Sequence, residues 1–223
     1  MTSCRSVPAP ADAATCTPIP ADESGTAYWY AADGTGACSF DASPNDLMVA
    51  AMNSADYDHA AWCGACLEII GPNAMTLVVR VVDECEACAE GDLELSVPAF
   101  TTFAPLAQDQ FTIGWHEVAC DVTGPIAYRQ QEDTTASWAA FQIRNARYPI
   151  ATLEAQAAGG GYTALQRGDD NYFVAASGLG PGPFALRTTD ARGQVLLDTN
   201  IALAAASVEN GESQFPTCGL PQP

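Results

Sequence analysis

Four cysteines and two carboxylates hold the chemistry that can be read from this chain. Cys63-Gly-Ala-Cys66 and Cys85-Glu-Ala-Cys88 are two C-x2-C pairs with eighteen residues between them. That spacing falls within the range of a four-thiolate zinc site. Zinc would make the segment a structural or nucleic-acid module. The same run contains Asp83 and, just past the second pair, Glu94. Disulfide-bearing loops beside buried carboxylates would instead fit an extracellular polysaccharide protein.

The elements that must position these residues weigh against zinc. Leu67-Glu68-Ile69-Ile70 and Thr76-Leu77-Val78-Val79-Arg80-Val81-Val82 read as strands joined through the turn Gly71-Pro72-Asn73. In that hairpin Cys66 faces a residue near Arg80. Cys85 lies about five residues further on, roughly 16 Å at the rise of an extended strand. Four sulfurs of a zinc site must each sit about 2.3 Å from one ion, and the hairpin does not arrange this. Zinc also leaves Cys38 and Cys120 unexplained. We expect no metal and no cofactor.

Other short strands are expected at Ala27-Tyr28-Trp29-Tyr30 and Phe111-Thr112-Ile113-Gly114-Trp115. One short helix is expected over Val97 to Ala107, with Ser96 as N-cap and Pro98 in its first turn. Many strands, one helix and scattered cysteines suggest a small closed barrel. After the break Asp121-Val122-Thr123-Gly124-Pro125, strands recur at regular spacing. They run from Ile126 to Gln130, Trp138 to Ile143, Ile150 to Ala155, Asn171 to Ala175, Phe184 to Thr188 and Val195 to Asp198, and read as a β-sandwich. The expected organisation is a tail over 1–24, a barrel over 25–122 and a sandwich over 125–216. The break is too short for free tumbling, so the two units are expected in a fixed relation.

Composition narrows the class of partner. The 223 residues include 27 Asp and Glu against 8 basic residues, all Arg, for a net charge of −19. A polyphosphate partner needs cations to displace its counterions, so nucleic acid is not expected. Anionic membranes and pectin-like acidic glycans are disfavoured for the same reason. Nothing approaches eighteen consecutive apolar residues, so no transmembrane helix is expected. Nine cysteines suit an oxidising compartment. Met1-Thr2-Ser3-Cys4 lacks an apolar signal core, so a signal was either removed or never present; the nine cysteines favour removal, and a secreted protein is expected. His59 and His116 have no Cys or Asp partner pattern and are read as structural or exposed, with no catalytic triad.

Several motifs together resemble the expansin family. Gly25-Thr26-Ala27-Tyr28-Trp29-Tyr30, Gly36-Ala37-Cys38, Cys63-Gly64-Ala65-Cys66-Leu67-Glu68-Ile69, Val81-Val82-Asp83 and Gly91-Asp92-Leu93-Glu94-Leu95-Ser96 resemble its first domain. The run from Trp138 through Phe141, Arg144 and Asn145 to Pro149, Thr189-Asp190-Ala191-Arg192-Gly193 and Gln214-Phe215-Pro216 resemble its second. The resemblance implies an all-β protein: a six-stranded double-psi β-barrel followed by an immunoglobulin-like cellulose-binding β-sandwich. It implies a monomeric extracellular protein that loosens plant cell walls without hydrolysis, acting on noncovalent contacts between cellulose and matrix glycans such as xyloglucan. It further implies disulfides Cys38–Cys63 and Cys66–Cys120, with Cys85–Cys88 a local bridge. Cys4, Cys16 and Cys218 are left with two open pairings.

The resemblance places Asp83 and Glu94 in a groove across the barrel. A glycosidase usually needs two carboxyl groups, an acid and a base or nucleophile. Endoglucanases that share this barrel carry the acid where Leu93-Glu94-Leu95 stands here. Their base falls on the Tyr28-Trp29-Tyr30 run, where this chain offers tyrosine. A phenol is a poor base at neutral pH, so ordinary hydrolysis is disfavoured. Glu94 departs from the family's Asp by one methylene, about 1.5 Å. Two alternatives stand beside wall loosening. One is a lytic transglycosylase on peptidoglycan using Glu94 or Asp83 alone, with Tyr28 and Tyr30 shaping a sugar subsite. The other is a polysaccharide binder whose barrel is inert.

On the sandwich the resemblance implies three aromatics in line, and one matches, Trp138. The position before it is Ser137 and the third falls on Asp170, with Tyr172 two residues on. Residues two apart on a strand share a face, so Tyr172 is expected to substitute in part. The basic residue usual near this face falls on Gln131. Weak cellulose binding, or a different preferred polymer, is expected. Trp29 and Trp115 are read as core.

Overall fold

The computed structural model describes residues 16–17, 22–157 and 159–218. The tail expected over 1–24 lies mostly outside the described residues, as does Cys4.

The first half is a closed six-stranded barrel. Its strands are β1 (Glu23–Tyr30), β2 (Val49–Asn53), β3 (Cys66–Ile70), β4 (Thr76–Cys85), β5 (Leu93–Ser96) and β6 (Phe111–Val118). Around the barrel they run in the order β1-β5-β2-β4-β3-β6. The pairs β1–β5 and β2–β4 are parallel and the rest antiparallel. Leu67, Ile69, Leu93, Leu95, Met52 and Phe100 fill the barrel and are fully buried. Strand β2 reads Val-Ala-Ala-Met-Asn, a weak strand sequence that by itself predicts no strand. It forms one because both its edges are paired, to β4 and β5. Tertiary context outweighs strand propensity at such a position.

Two short helices join the barrel, α1 (Ser54–Tyr57) and α2 (Val97–Phe103). The Ser96 side chain accepts the Ala99 amide as expected of an N-cap, but α2 ends four residues before the expected Ala107. The cause is Pro105, which forces Ala104 into an extended conformation (φ −152°, ψ 152°) and stops the helix. Leu106–Gln108 forms a separate 3-10 turn.

The second half is a sandwich. Its strands are β7 (Ala127–Gln130), β8 (Ala139–Arg144), β9 (Ile150–Gln156), β10 (Thr163–Ala164), β11 (Gln166–Arg167), β12 (Phe173–Ala175), β13 (Phe184–Asp190), β14 (Val195–Ile201) and β15 (Val208–Asn210). One sheet runs β11-β12-β8-β7-β15, the other β10-β9-β13-β14. Tyr128, Phe141, Phe173, Phe184, Leu153 and Leu186 fill the space between them. The fold is therefore all-β, a double-psi barrel followed by an immunoglobulin-like sandwich.

Four disulfides join described residues: Cys38–Cys63, Cys66–Cys120, Cys85–Cys88 and Cys16–Cys218. The two C-x2-C pairs thus divide among three bridges, and their sulfurs are bonded to other sulfurs rather than free to ligate zinc. Cys16–Cys218 closes a span of 202 residues and ties the segment before the barrel to the end of the sandwich.

The two halves touch through directed hydrogen bonds. Gln142 Nε2 on β8 donates to the carbonyls of Cys38 (2.9 Å) and Ser39 (3.2 Å). Arg167 Nη1 donates to Ala60 O at 2.6 Å, and Tyr57 Oη donates to Asp169 O at 3.2 Å. Arg144 pairs with Asp41 and Arg192 with Glu117. Sequence spacing offers His59 and His116 no carboxylate partners. Each has one in space: His59 lies 2.9 Å from Asp169, and His116 lies 3.5 Å from Asp22 and from Glu68.

Candidate functional site

The carboxylates are brought together by a register shift. On β4, Val79 and Val81 point into the barrel core. Strict alternation would then put Asp83 on the core side too. Between β2 and β4, however, Ala50 pairs with Val81 while Ala51 pairs with Asp83, so Val82 is an extra residue. Such an insertion re-aims the residues that follow. Asp83 therefore shares a rung with Ala51. That rung continues to Glu94 on β5 and Tyr28 on β1. Leu93 and Leu95, the neighbours of Glu94, are fully buried in the core, so Glu94 faces outward with Tyr28. Asp83 and Glu94 flank the small Ala51 across two strand spacings, about 10 Å between backbones. The alanine between them is small and itself buried.

Asp83 is held from behind. Its Oδ1 accepts the amides of Ala37 (2.7 Å) and Glu84 (2.9 Å). The 36–38 loop approaches so closely that a Cβ on Gly36 would stand 2.4 Å from Asp83 Cγ, and only glycine fits there. Among the described residues no protein group bonds to Oδ2, which is free for a ligand.

Glu94 is half-buried, and burial pushes its pKa up, with the Asp83 charge adding to the shift. The Tyr30 hydroxyl is buried without a hydrogen-bond partner. Burial, and next the Asp83 and Glu94 charges, raise it far above the ordinary phenol value. It stays protonated at any working pH. Tyr28 is half-buried beside Glu94. Trp29, a core residue by sequence pattern, is 38% exposed at the end of β1. Its register partner is Leu95, so it lies on the face of β1 opposite to Tyr28 and Glu94. Trp115 is core, and its Nε1 donates to Gly91 O at 2.8 Å.

The raised pKa of Glu94 makes a testable statement about stability. A carboxyl whose folded pKa exceeds its unfolded one is penalised when ionised in the folded state. The penalty is present above the folded pKa and vanishes below the ordinary value of 4.5. Glu94→Gln should therefore raise the melting temperature at neutral pH, and the gain should shrink to nothing on acidification to about pH 4. Calorimetric scans of both proteins across that interval check it. An equal or lower melting temperature for the variant at neutral pH would contradict the assignment.

On the sandwich, Trp138 sits just before β8 and is half-buried. Tyr172 does not extend an aromatic row, because it is only 8% exposed. It follows the turn 169–171 and precedes β12; its amide donates to Asp170 Oδ1 at 3.2 Å, and its ring is covered. The expected face-sharing does not hold because β12 begins at Phe173 rather than Asn171, so strand alternation does not reach Tyr172.

A groove of two carboxylates and tyrosines on a double-psi barrel, fused to a β-sandwich with one outward tryptophan, defines a class of two-domain proteins. No protein-family model matches the chain. Similar proteins nevertheless place it. It is 34% identical over 190 residues to Expansin-YoaJ of Bacillus subtilis (strain 168), with 81% of each chain covered. It is 33% identical over 98 residues to Expansin-A26 of Oryza sativa subsp. japonica, across 42% of this chain and 34% of that one. The crystal structure of apo Clavibacter michiganensis expansin superposes with a TM-score of 0.81 at 30% identity, covering 88% of this chain and all of that one. A mutant of the same Clavibacter protein, solved in complex with cellohexaose, matches equally. The chain belongs to the expansin family.

Proposed function

We propose that this protein loosens plant cell walls without hydrolysis. It binds cellulose and associated matrix glycans such as xyloglucan and disrupts their noncovalent contacts. The observation that supports this most directly is the Tyr30 hydroxyl. It occupies the run where a hydrolase of this barrel needs a base, and its raised pKa leaves it unable to accept a proton. Binding without a base favours displacement of hydrogen bonds over cleavage. Asp83 Oδ2 is the acceptor for a glucan hydroxyl, and Tyr28, on the Glu94 rung, flanks the chain. Trp138 stacks on a sugar ring, since aromatic faces pack against the apolar face of a pyranose. The units are a barrel over 25–122 and a sandwich over 125–216, acting outside the cell as a monomer. The cellohexaose held by the Clavibacter protein supports a glucan as the ligand here.

A second reading has its own support. Burial and the Asp83 charge push the Glu94 pKa up, the direction that a general acid needs. This is the starting point for lytic cleavage of peptidoglycan. Incubation with cellulose, xyloglucan and peptidoglycan separates the two. Wall loosening predicts retention on insoluble glucan, reduced several-fold in Trp138→Ala, and no soluble fragments from any polymer. Fragments that appear with the parent and vanish with Glu94→Gln would replace it with the lytic reading.

A further inference from the structure

The chain between Asp83 and Glu94 carries a covalent tie. Cys85 ends β4 two residues after Asp83, and Cys88 lies six residues before Glu94 on the returning loop. Their bridge spans three positions, the shortest of the four. It stands where β4 is held least. The register of β3 with β4 ends at Arg80, so Asp83, Glu84 and Cys85 have a strand partner on the β2 side alone. Cys85 forms the last of these rungs, with Asn53. Asn53 also anchors the far end of the loop. Its Nδ2 donates to Asp92 O at 3.2 Å and to Asp56 Oδ2 at 2.6 Å, and Asp56 Oδ2 accepts the Gly91 amide at 3.1 Å. Between these anchors the backbone bonds are local, from Cys88 N to Cys85 O (3.3 Å) and from Asp92 N to Ala89 O (3.0 Å). A strand end with one partner opens most readily. The bridge therefore pins the end of β4, and with it the Glu84 amide that holds Asp83 Oδ1.

The same bridge is open to exchange. Cys38, Cys63, Cys66 and Cys120 are 8% exposed or less. Cys88 is half-buried, and Glu86, Ala87, Ala89 and Glu90 around it are exposed. A ring this short constrains the unfolded chain least, so the fold outlasts its opening. We propose that Cys85–Cys88 is a reducible positioning bridge: a dithiol opens it, β4 frays at Asp83, and wall loosening falls. One thiolate of the reductant bonds to the Cys88 sulfur, the Cys85–Cys88 bond breaks, and the Cys85 sulfur leaves and takes a proton. The second thiol of the reductant then displaces Cys88, whose sulfur takes the other proton, and the reductant ends as a disulfide. The protein gains two electrons and two protons. Glu84, Glu86 and Glu90 lie beside the bridge and repel anionic thiols, so an uncharged or cationic dithiol is the matching reagent. The inference rests on the reading of the groove as the loosening site.

Limited treatment of the full chain with dithiothreitol, followed by alkylation and peptide mapping, tests it. Cys85 and Cys88 should be labelled while Cys38, Cys63, Cys66 and Cys120 stay bridged. Creep of isolated wall strips should then fall about threefold or more, with retention on cellulose within about twofold, because a site held too loosely loses its action before its fold. Reoxidation should restore creep. Cys16–Cys218 is also half-buried, and a double variant tells the two bridges apart. Cys85→Ser with Cys88→Ser should match the reduced parent and no longer respond to dithiothreitol. The amide NMR signals of Ala37 and Glu84 should shift on reduction, whatever the creep. Unmoved signals after confirmed reduction, or parent-level creep in the double variant, would overturn the inference and leave the loosening reading standing. Lost creep together with lost retention and a collapsed melting transition would also overturn it, by showing a purely structural bridge. A parent without creep in either redox state would overturn the loosening reading itself.

Discussion

Asp83→Asn is expected to lower wall extension under load by at least about tenfold while leaving retention on cellulose within about twofold. The separation follows from how Asp83 is held. Oδ1 takes two backbone amides, and an asparagine carbonyl can take the same two. The 36–38 loop and the groove wall then stay in place. What changes is the second oxygen, the acceptor facing the groove, which becomes a donor. A hydrogen bond to a charged acceptor contributes roughly 1.5–3 kcal/mol, or about one to two factors of ten. In the proposed reading insoluble glucan is held mainly by Trp138 and the sandwich face, so retention should persist. Asp83→Ala is the less informative change, because it would leave the Ala37 and Glu84 amides without their acceptor at about 1–3 kcal/mol each. A creep assay on isolated wall strips compares parent and variant. Undiminished creep in Asp83→Asn would remove Asp83 from the proposed action.

The largest expected effect on stability lies far from the groove. Arg192→Met should destabilise the protein by about 3–5 kcal/mol at neutral pH. Glu117, at the end of β6, has 1% of its side chain exposed and pairs with Arg192 of the sandwich. Arg192 also lies 5.4 Å from the Tyr148 ring. The pair is not fully satisfied, because Glu117 Oε1 and Arg192 Nε lack partners. Burial already raises the Glu117 pKa despite the Arg192 charge that opposes it. Without the arginine the carboxyl moves further up, and its ionised form is penalised above that raised value. The deficit of the variant should therefore shrink as pH falls, since protonation relieves the buried charge. Adding Glu117→Gln should recover much of the loss at neutral pH, because breaking a buried pair costs more than replacing both partners. Denaturant titrations of the single and double variants at two pH values measure this. A double variant no more stable than Arg192→Met would show that packing, not charge, makes the difference.

The groove is partly legible in the chain of residues. Asp83 and Glu94 stand out by type, and the runs around them carry the family likeness. Their shared rung is not legible, because it depends on the extra residue Val82 and on pairing with β2. The Ala-Ala-Met stretch of β2 carries no strand signal of its own. Trp29 misleads for a related reason. An aromatic in a strand is usually core, but this one lies at the open end of β1, where the barrel stops covering it. Tyr172 misleads in the other direction, because alternation does not extend past the point where β12 starts. The end of α2, by contrast, is readable in principle from Ala104-Pro105, since a residue before proline leaves the helical region.

The all-β class, the order of barrel and sandwich and the strongly negative net charge are all readable in the chain alone. Each is set by local pattern or by a sum over residues, and none needs a partner in space. Three-dimensional pairing was required to establish that Cys16 bonds Cys218 and that Asp83 turns outward to meet Glu94. Those facts depend on register and on contacts between residues tens to hundreds of positions apart. Side-chain direction reverses with a single inserted residue, so no local rule carries them.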